Sequence, residues 1–395
     1  MNTESVLLLT KDAMCSSYFP CYGNSFWEGK TPNMDCLVGK GTLFTNCFTA
    51  APSSAMSYLS MFTGKYPYQQ EIKTYIPLSE PYAGTTFFDK AYDNGFECHV
   101  LWDENWVNLA QVYSECYGEH TTIHSIKGLR QPVGSHYKHE GVIMRDEKLE
   151  RATLSMIKDE ISRIANPNKK VFLWCHLPHV LNGRTSYGDD IDLFDQYIGM
   201  FREFFSDDNI FISSDHGNMN GQKSKLCYGF DVYENAIRIP LIAPRIDGLK
   251  QYEGQFCNVD FYDLIMNRTI KKRDYIFSDT AYYAQPHRKL VVIKGKYRYI
   301  YNKAQNTEEL YDIEWDPNEN MDLADPIQKD IDRHVSSPKR EYYFYPEWDE
   351  VPRVLSELRS EKDRIWRNGN TRQNLYNRFR VFAGRVYHMF FKTSI

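Results

Sequence analysis

Short unbroken apolar runs alternate along this chain with longer stretches in which apolar residues recur every three or four positions. Val6 to Leu9, Leu43 to Phe48, Phe96 to Trp102, Val171 to Cys175 and the apolar start of residues 209–221 read as strands. Between them, Thr31-Pro32-Asn33 opens a helix through Met34 and Leu37 that ends near Gly41. Thr85 to Ala91 and Asp260 to Met266 are helical. Glu147 to Ile164 carries Leu149, Ala152, Met156, Ile157, Ile161 and Ile164 on one face. Strands alternating with helices predict an α/β domain with a mostly parallel sheet. The pattern then changes. Leu290 to Ile293 and Tyr297 to Tyr301 form a hairpin-like pair around Lys294-Gly295-Lys296, which Glu309 to Asp312 continues. This divides the chain into an α/β domain over 1–270, a small antiparallel subdomain over 271–335 and a helical, basic tail over 336–395.

The organising stretch is Thr49 to Pro67, TAAPSSAMSYLSMFTGKYP. Pro52 with Ser53 or Ser54 supplies a helix start, and Gly64 supplies a stop. Met56, Leu59 and Phe62 share one stripe, which leaves Ser54, Ser57 and Tyr58 on other faces. A hydroxyl at Ser54 sits beside unpaired backbone N–H groups and the positive end of the helix dipole, where an anionic ester would be held. The alternative is that Ser53 and Ser54 only cap the helix.

Polar residues at strand ends supply the candidate chemistry, because ligands of open α/β sheets bind outside the carboxyl ends of the strands. Asp12 follows the first strand, and Asp215-His216-Gly217 follows the strand that begins near Asn209. His176 and His179 lie just beyond Val171 to Cys175. Mixed oxygen and nitrogen ligands suit one divalent Mn, Zn or Mg ion more than an all-oxygen calcium cage. His99, inside a strand, reads as a core histidine.

Composition narrows the class. With 395 residues and 42% hydrophobic content, the chain can bury a sizeable core, and a formal charge of -5 excludes a global nucleic-acid footprint. Nine cysteines without CxxC pairs read as reduced thiols in a cytoplasmic setting. The first residues carry an apolar run of only four before Lys11, too short for a signal peptide, and no run approaches the twenty that a membrane span needs.

The strings DAMCSSYFPCYGN and TPNMDCLVGKGTLFTNCFTAAPSSAMSYLSMFTGKYP, with NIFISSDHGNMNG, YENAIRIPLIAP, KYRYIYN and ELYDIEWDPNENMDLA further on, resemble the sulfatase family of the alkaline phosphatase superfamily over residues 5–326. The resemblance implies an α/β/α sandwich with a small antiparallel carboxy-terminal subdomain. It assigns Asp12, Asp215 and His216 to the metal, and makes Ser54, ten residues before Gly64, both a ligand and the nucleophile. It further implies that His179, and with it His176, contacts the ester, while Asp195 serves packing or capping. Sulfatases proper carry C/S-x-P-x-R, which directs oxidation to formylglycine; here the string is Ser54-Ala55-Met56-Ser57-Tyr58. The cations that many sulfatases place before YENAIRIPLIAP align with Cys227 and Gly229, which leaves Lys223 or Lys225 to supply one. These departures resemble branches with an unmodified Ser or Thr, so the expected reaction is hydrolysis or transfer of a phosphate ester or diester. A sulfate ester, a phosphoglycerol- or phosphoethanolamine-type transfer to a glycan, and anion binding without turnover are the alternatives. The expected partner is a small-molecule or glycan-linked anionic ester.

Beyond the resemblance, Arg364, Arg367, Arg372, Arg378, Arg380, Arg385 and Lys392 occur without Asp or Glu, and Leu375, Phe379, Phe382, Val386 and Met389 recur at helical spacing. Two readings stay open: a helix docked on the main domain, and an interfacial helix making peripheral contact with an anionic membrane.

Overall fold

The computed structural model describes residues 1–70, 84–103, 120–126, 147–177, 187–281, 288–325 and 345–369, together with 82, 117–118, 138–139 and 142–143. Its frame is an eight-stranded sheet of β1 (Val6–Lys11), β2 (Thr42–Phe44), β3 (Phe96–Asp103), β4 (Thr121–Ile126), β5 (Lys170–Leu177), β6 (Ile210–Ser214), β7 (Leu241–Ala243) and β8 (Gln251–Tyr252), in the spatial order β8-β2-β7-β6-β1-β5-β3-β4. The strands β6, β1, β5, β3 and β4 run parallel, and β7 is antiparallel to both neighbours.

Apolar side chains leave both faces of the central strands, which is why the runs read as unbroken rather than alternating. Leu8, Phe172, Trp174 and Phe211 pack against α2 (Ser54–Thr63), α3 (Phe87–Asp93) and α6 (Phe261–Asn267). Leu7, Leu9, Leu173 and Ile212 pack against α1 (Pro32–Lys40), α4 (Glu147–Ile164) and α5 (Tyr187–Phe201). Leu7, Leu8 and Leu9 are fully buried, each worth about 2 kcal/mol of transfer free energy. This core holds the strand ends, and hence the polar residues just past them, in fixed register. The first strand extends to Lys11, whose ammonium meets the carboxylate of Asp190 on α5 at 2.7 Å, both buried.

Three details differ from the sequence pattern. Leu43 to Phe48 is two strands, since the chain leaves the large sheet after Phe44 and Cys47–Phe48 joins a smaller sheet with Arg238–Ile239 and Phe256–Cys257. Every residue of α2 is buried, so its polar faces meet protein rather than solvent. Met156 on α4 is exposed, because the buried stripe there is Ile157, Ile161 and Ile164.

A second sheet of β9 (Ile276–Asp279), β10 (Lys289–Lys294), β11 (Tyr297–Asn302) and β12 (Thr307–Asp312) is fully antiparallel, with Gly295 at φ 54° in the β10–β11 turn. The helix α7 (Val351–Gly369) packs Val354, Leu358 and Ile365 into this sheet's core. Among the described residues, no helix is long and apolar enough to cross a membrane. The basic stretch beyond Gly369 lies outside the described residues.

His99 is partly buried and joins a relay across the edge of the large sheet. Its Nδ1 lies 2.9 Å from His124 Nε2, and His124 Nδ1 lies 2.7 Å from Glu160 Oε1 on α4. Burial, then the neighbouring His124, pushes the His99 imidazole down to about 4 from 6.5. The folded protein therefore keeps His99 neutral at pH values where the unfolded chain protonates it. This contribution to stability is intact above pH 6.5 and is lost as the pH falls toward about 4. Replacing His99 by Gln should flatten the fall in melting temperature between those limits, and an unchanged slope would contradict the assignment.

Candidate metal centre

The strand ends bring Asp12, Asp215 and His216 together with one ligand atom from each within 4.8 Å of the others, and all three side chains are buried. His216 Nε2 lies 3.7 Å from Asp12 Oδ1 and 3.4 Å from Asp215 Oδ2. Ser54 Oγ, in the first turn of α2, lies 3.0 Å from the same nitrogen. Ser53 is the residue before the helix, and its side chain makes no capping bond.

Local backbone chemistry explains how these groups meet. Ala13 takes φ 57°, a conformation a non-glycine residue rarely adopts, and its N–H donates to Asp215 Oδ1 at 3.0 Å. The Ser214 hydroxyl bonds with the carbonyls of Lys11 at 2.6 Å and His216 at 2.8 Å and accepts from Met14 N–H at 3.0 Å, stitching one strand end to the other. A Cβ on Gly217 would stand 1.9 Å from the Asn235 carbonyl oxygen, so only glycine permits this turn. The His216 N–H also donates to Asp215 Oδ1, at 2.8 Å.

His216 Nδ1 lies 2.7 Å from the Gly217 carbonyl oxygen. A carbonyl only accepts, so Nδ1 carries a proton, and in the neutral imidazole the lone pair then lies on Nε2, the nitrogen beside Ser54, Asp12 and Asp215. Asp215 Oδ2 is buried and accepts no hydrogen bond from the described residues. Two carboxylates and an imidazole converging in a buried space form a donor set for a divalent cation, and Asp12, Asp215 and His216 fit that role. The Tyr228 ring covers His216 at 4.5 Å between centroids.

The other candidates fall in different places. His176, on β5, meets α2: its Nδ1 is 2.6 Å from Tyr58 Oη and 3.1 Å from Thr10 Oγ1, and Thr10 accepts from Trp174 Nε1 at 2.9 Å. Burial, above all, pushes His176 down to about 3, so it is neutral near pH 7. Lys223 is directed at the second sheet, donating to Tyr311 Oη at 3.1 Å and to the Glu319 carbonyl. Lys225 pairs with Asp231 at 3.3 Å, and Lys289 of β10 shares that carboxylate. Asp195 caps α1, accepting from Met34 N–H at 2.8 Å and Asn33 N–H at 3.2 Å. His179 lies outside the described residues.

Sequence reasoning missed a polar network behind α2. The Ser57 hydroxyl donates to the Asp215 carbonyl at 2.6 Å, and Thr49 Oγ1 and Asn258 Nδ2 each lie 2.9 Å from Ser57 Oγ. The place of Ser57 one turn after Ser54 was a legible signal. For Asn258 there was none, since it lies 201 residues from Ser57.

Two acids and a histidine at adjacent strand ends of an α/β sheet, beside a helix that begins with serine, thus form one candidate metal centre. The sulfatase family model matches residues 4–269, more than half of the chain, and the protein belongs to the sulfatase family. Among curated proteins, it is 49% identical over 49 residues to an ulvan-active sulfatase of Formosa agariphila, a match covering 12% of this chain and 9% of that protein. It is 31% identical over 67 residues to an N-acetylgalactosamine-6-O-sulfatase of Bacteroides thetaiotaomicron, covering 17% and 13%. The matches thus span only a small part of those relatives. A solved 2-O GAG sulfatase superposes with TM-score 0.65 at 14% identity, covering 93% of each chain. The phosphonate monoester hydrolase of Agrobacterium radiobacter superposes with TM-score 0.58 at 14% identity, covering 91% of this chain and 96% of that one. At these identities the structural likeness is one of fold.

Replacing Asp215 by Ala should lower Mn²⁺ affinity by more than about 100-fold in calorimetric titration while the circular dichroism spectrum stays native. Undiminished affinity in that variant would contradict the ligand assignment.

Proposed function

We propose that this protein is a metal-dependent hydrolase of an anionic ester carried on a carbohydrate, with a sulfate ester as the first candidate. The observation that carries the reading is the meeting of Asp12, Asp215, His216 and Ser54 at one point, with His216 Nε2 3.0 Å from the Ser54 hydroxyl. The sulfate ester is supported by family membership and by the names of the two curated relatives.

Asp12, Asp215 and His216 would hold one divalent ion, which when bound supplies Lewis-acid stabilisation of the ester's negative charge. The chain's own residues do the rest. The first turn of α2 offers backbone N–H groups and the positive end of its dipole to the ester oxygens. The residue 54 oxygen gives up its proton and bonds to the sulfur or phosphorus as the bond to the leaving oxygen breaks, that oxygen takes up a proton and departs as the alcohol, and water then breaks the new ester bond, releasing the anion and restoring the residue 54 hydroxyl. His176, neutral near pH 7, contributes hydrogen bonds through Tyr58 and Thr10 rather than charge.

A second reading is favoured by one specific feature. The string Ser54-Ala55-Met56-Ser57-Tyr58 lacks the Pro and Arg that direct formylglycine formation, and Tyr58 is committed to His176. An unmodified serine suits phosphate ester or diester transfer, because its oxygen can attack phosphorus and the phosphoryl ester can be released to water in a second catalysed step.

The test pairs mass spectrometry of the peptide bearing residue 54 with a panel of nitrophenyl sulfate, nitrophenyl phosphate, a bis-nitrophenyl phosphodiester and sulfated oligosaccharides. Metal-dependent sulfate release that disappears in Ser54→Ala and persists in Ser53→Ala is the expected result. Turnover confined to the phosphorus esters, with residue 54 unmodified, would overturn the sulfate reading in favour of the second.

A further inference from the structure

Behind the nucleophile helix lies a fully buried hydrogen-bond network into which one amide donates. Asn258, Thr49 and Ser57 are each 0% exposed. Asn258 Oδ1 accepts from the Ala50 N–H at 3.0 Å, which identifies the oxygen and leaves the Nδ2 group as donor only. That group reaches Ser57 Oγ at 2.9 Å and Thr49 Oγ1 at 3.2 Å. With an N–H arriving from Asn258, the Ser57 hydroxyl donates to the Asp215 carbonyl at 2.6 Å, a closer acceptor than Thr49 Oγ1 at 2.9 Å. Thr49 in turn has the Ala51 carbonyl, at 2.9 Å, as well as Ser57 within reach of its single proton.

We propose that Asn258 is a positioning residue for the metal centre: it orients the Ser57 hydroxyl so that α2 is locked to the turn bearing Asp215 and His216. This rests on the reading that Asp12, Asp215 and His216 bind a metal. Two links then join the same pair of elements, Ser54 to His216 at 3.0 Å and Ser57 to the Asp215 backbone at 2.6 Å, and together they set both the distance and the rotation of α2 about the turn. Neither Asn258 nor Ser57 needs to touch substrate or metal. Their effect passes through the placement of Asp215, as it does for the outer partners of metal ligands generally.

The experiment titrates Mn²⁺ into the full chain by calorimetry for wild type, Ser57→Ala, Asn258→Ala, Asn258→Asp and the Ser57→Ala/Asn258→Ala pair, with metal-free melting temperatures measured in parallel. Loss of Mn²⁺ affinity by about tenfold in Ser57→Ala and in Asn258→Ala is expected, with the pair no worse than the stronger single change because both act through one bond. Asn258→Asp keeps the shape but replaces the amide donor with an acceptor that competes for the Ser57 proton, so it should weaken binding as Asn258→Ala does. A residue that only stabilises the fold would lower the metal-free melting temperature and leave the Mn²⁺ affinity of the folded protein unchanged, and that result would overturn the proposal. Should the Asn258 variants fail to fold, Ser57→Ala decides on its own: full affinity overturns the proposal, a tenfold loss supports it. A wild-type chain that takes up no Mn²⁺ would instead remove the metal reading beneath it, and these two failures are distinct in the same data.

Discussion

Two carboxylates and an imidazole crowded into a buried space constitute a standing electrostatic demand for a cation, and the architecture around Asp12, Asp215 and His216 serves to keep them crowded. Buried charges survive only when paired or metal-bound. The backbone N–H groups of Ala13 and His216 meet one oxygen of Asp215, and its other oxygen receives none from the described residues. That asymmetry aims a single oxygen at the position shared with His216 Nε2, while the proton on Nδ1 fixes which imidazole nitrogen faces inward.

Holding that arrangement requires rigidity on both sides of the sheet. Leu7 and Leu9 anchor β1 to the helices on one face and Leu8 anchors it on the other, while Ile212 and Phe211 do the same for β6. The two strands are hydrogen-bonded neighbours, so Asp12 and Asp215 emerge side by side. Ser214 and Gly217 then determine how closely the two turns approach. The helix α2 is buried along its whole length, and Ser54, Ser57 and Tyr58 on it reach His216, the Asp215 carbonyl and His176.

Much of this was legible in the sequence because it follows from local pattern. Apolar runs placed β1, β3, β5 and β6, Gly41 and Gly64 placed the ends of α1 and α2, and acids just beyond strands pointed to the site. What was not legible depends on distant partners. The split of Leu43 to Phe48 reflects pairing with segments near residues 238 and 256. A lysine that looks available on a loop, Lys223, is captured by Tyr311 and Glu319 of the following subdomain. Asn258 carries no local mark of its role, since its partners Thr49, Ala50 and Ser57 lie more than two hundred residues earlier. Tyr58, where the resembling family carries arginine, finds its reason only when His176 is seen 2.6 Å away. A phenol and an imidazole kept neutral by burial occupy that place.

The most direct measurement is anomalous diffraction from crystals grown with Mn²⁺, recorded at the manganese absorption edge. One strong peak flanked by Asp12, Asp215 and Nε2 of His216, within ligand distance of residue 54, is the predicted result. Crystals with Mn²⁺ present but no peak there, or with the ion held by other side chains, would contradict the account.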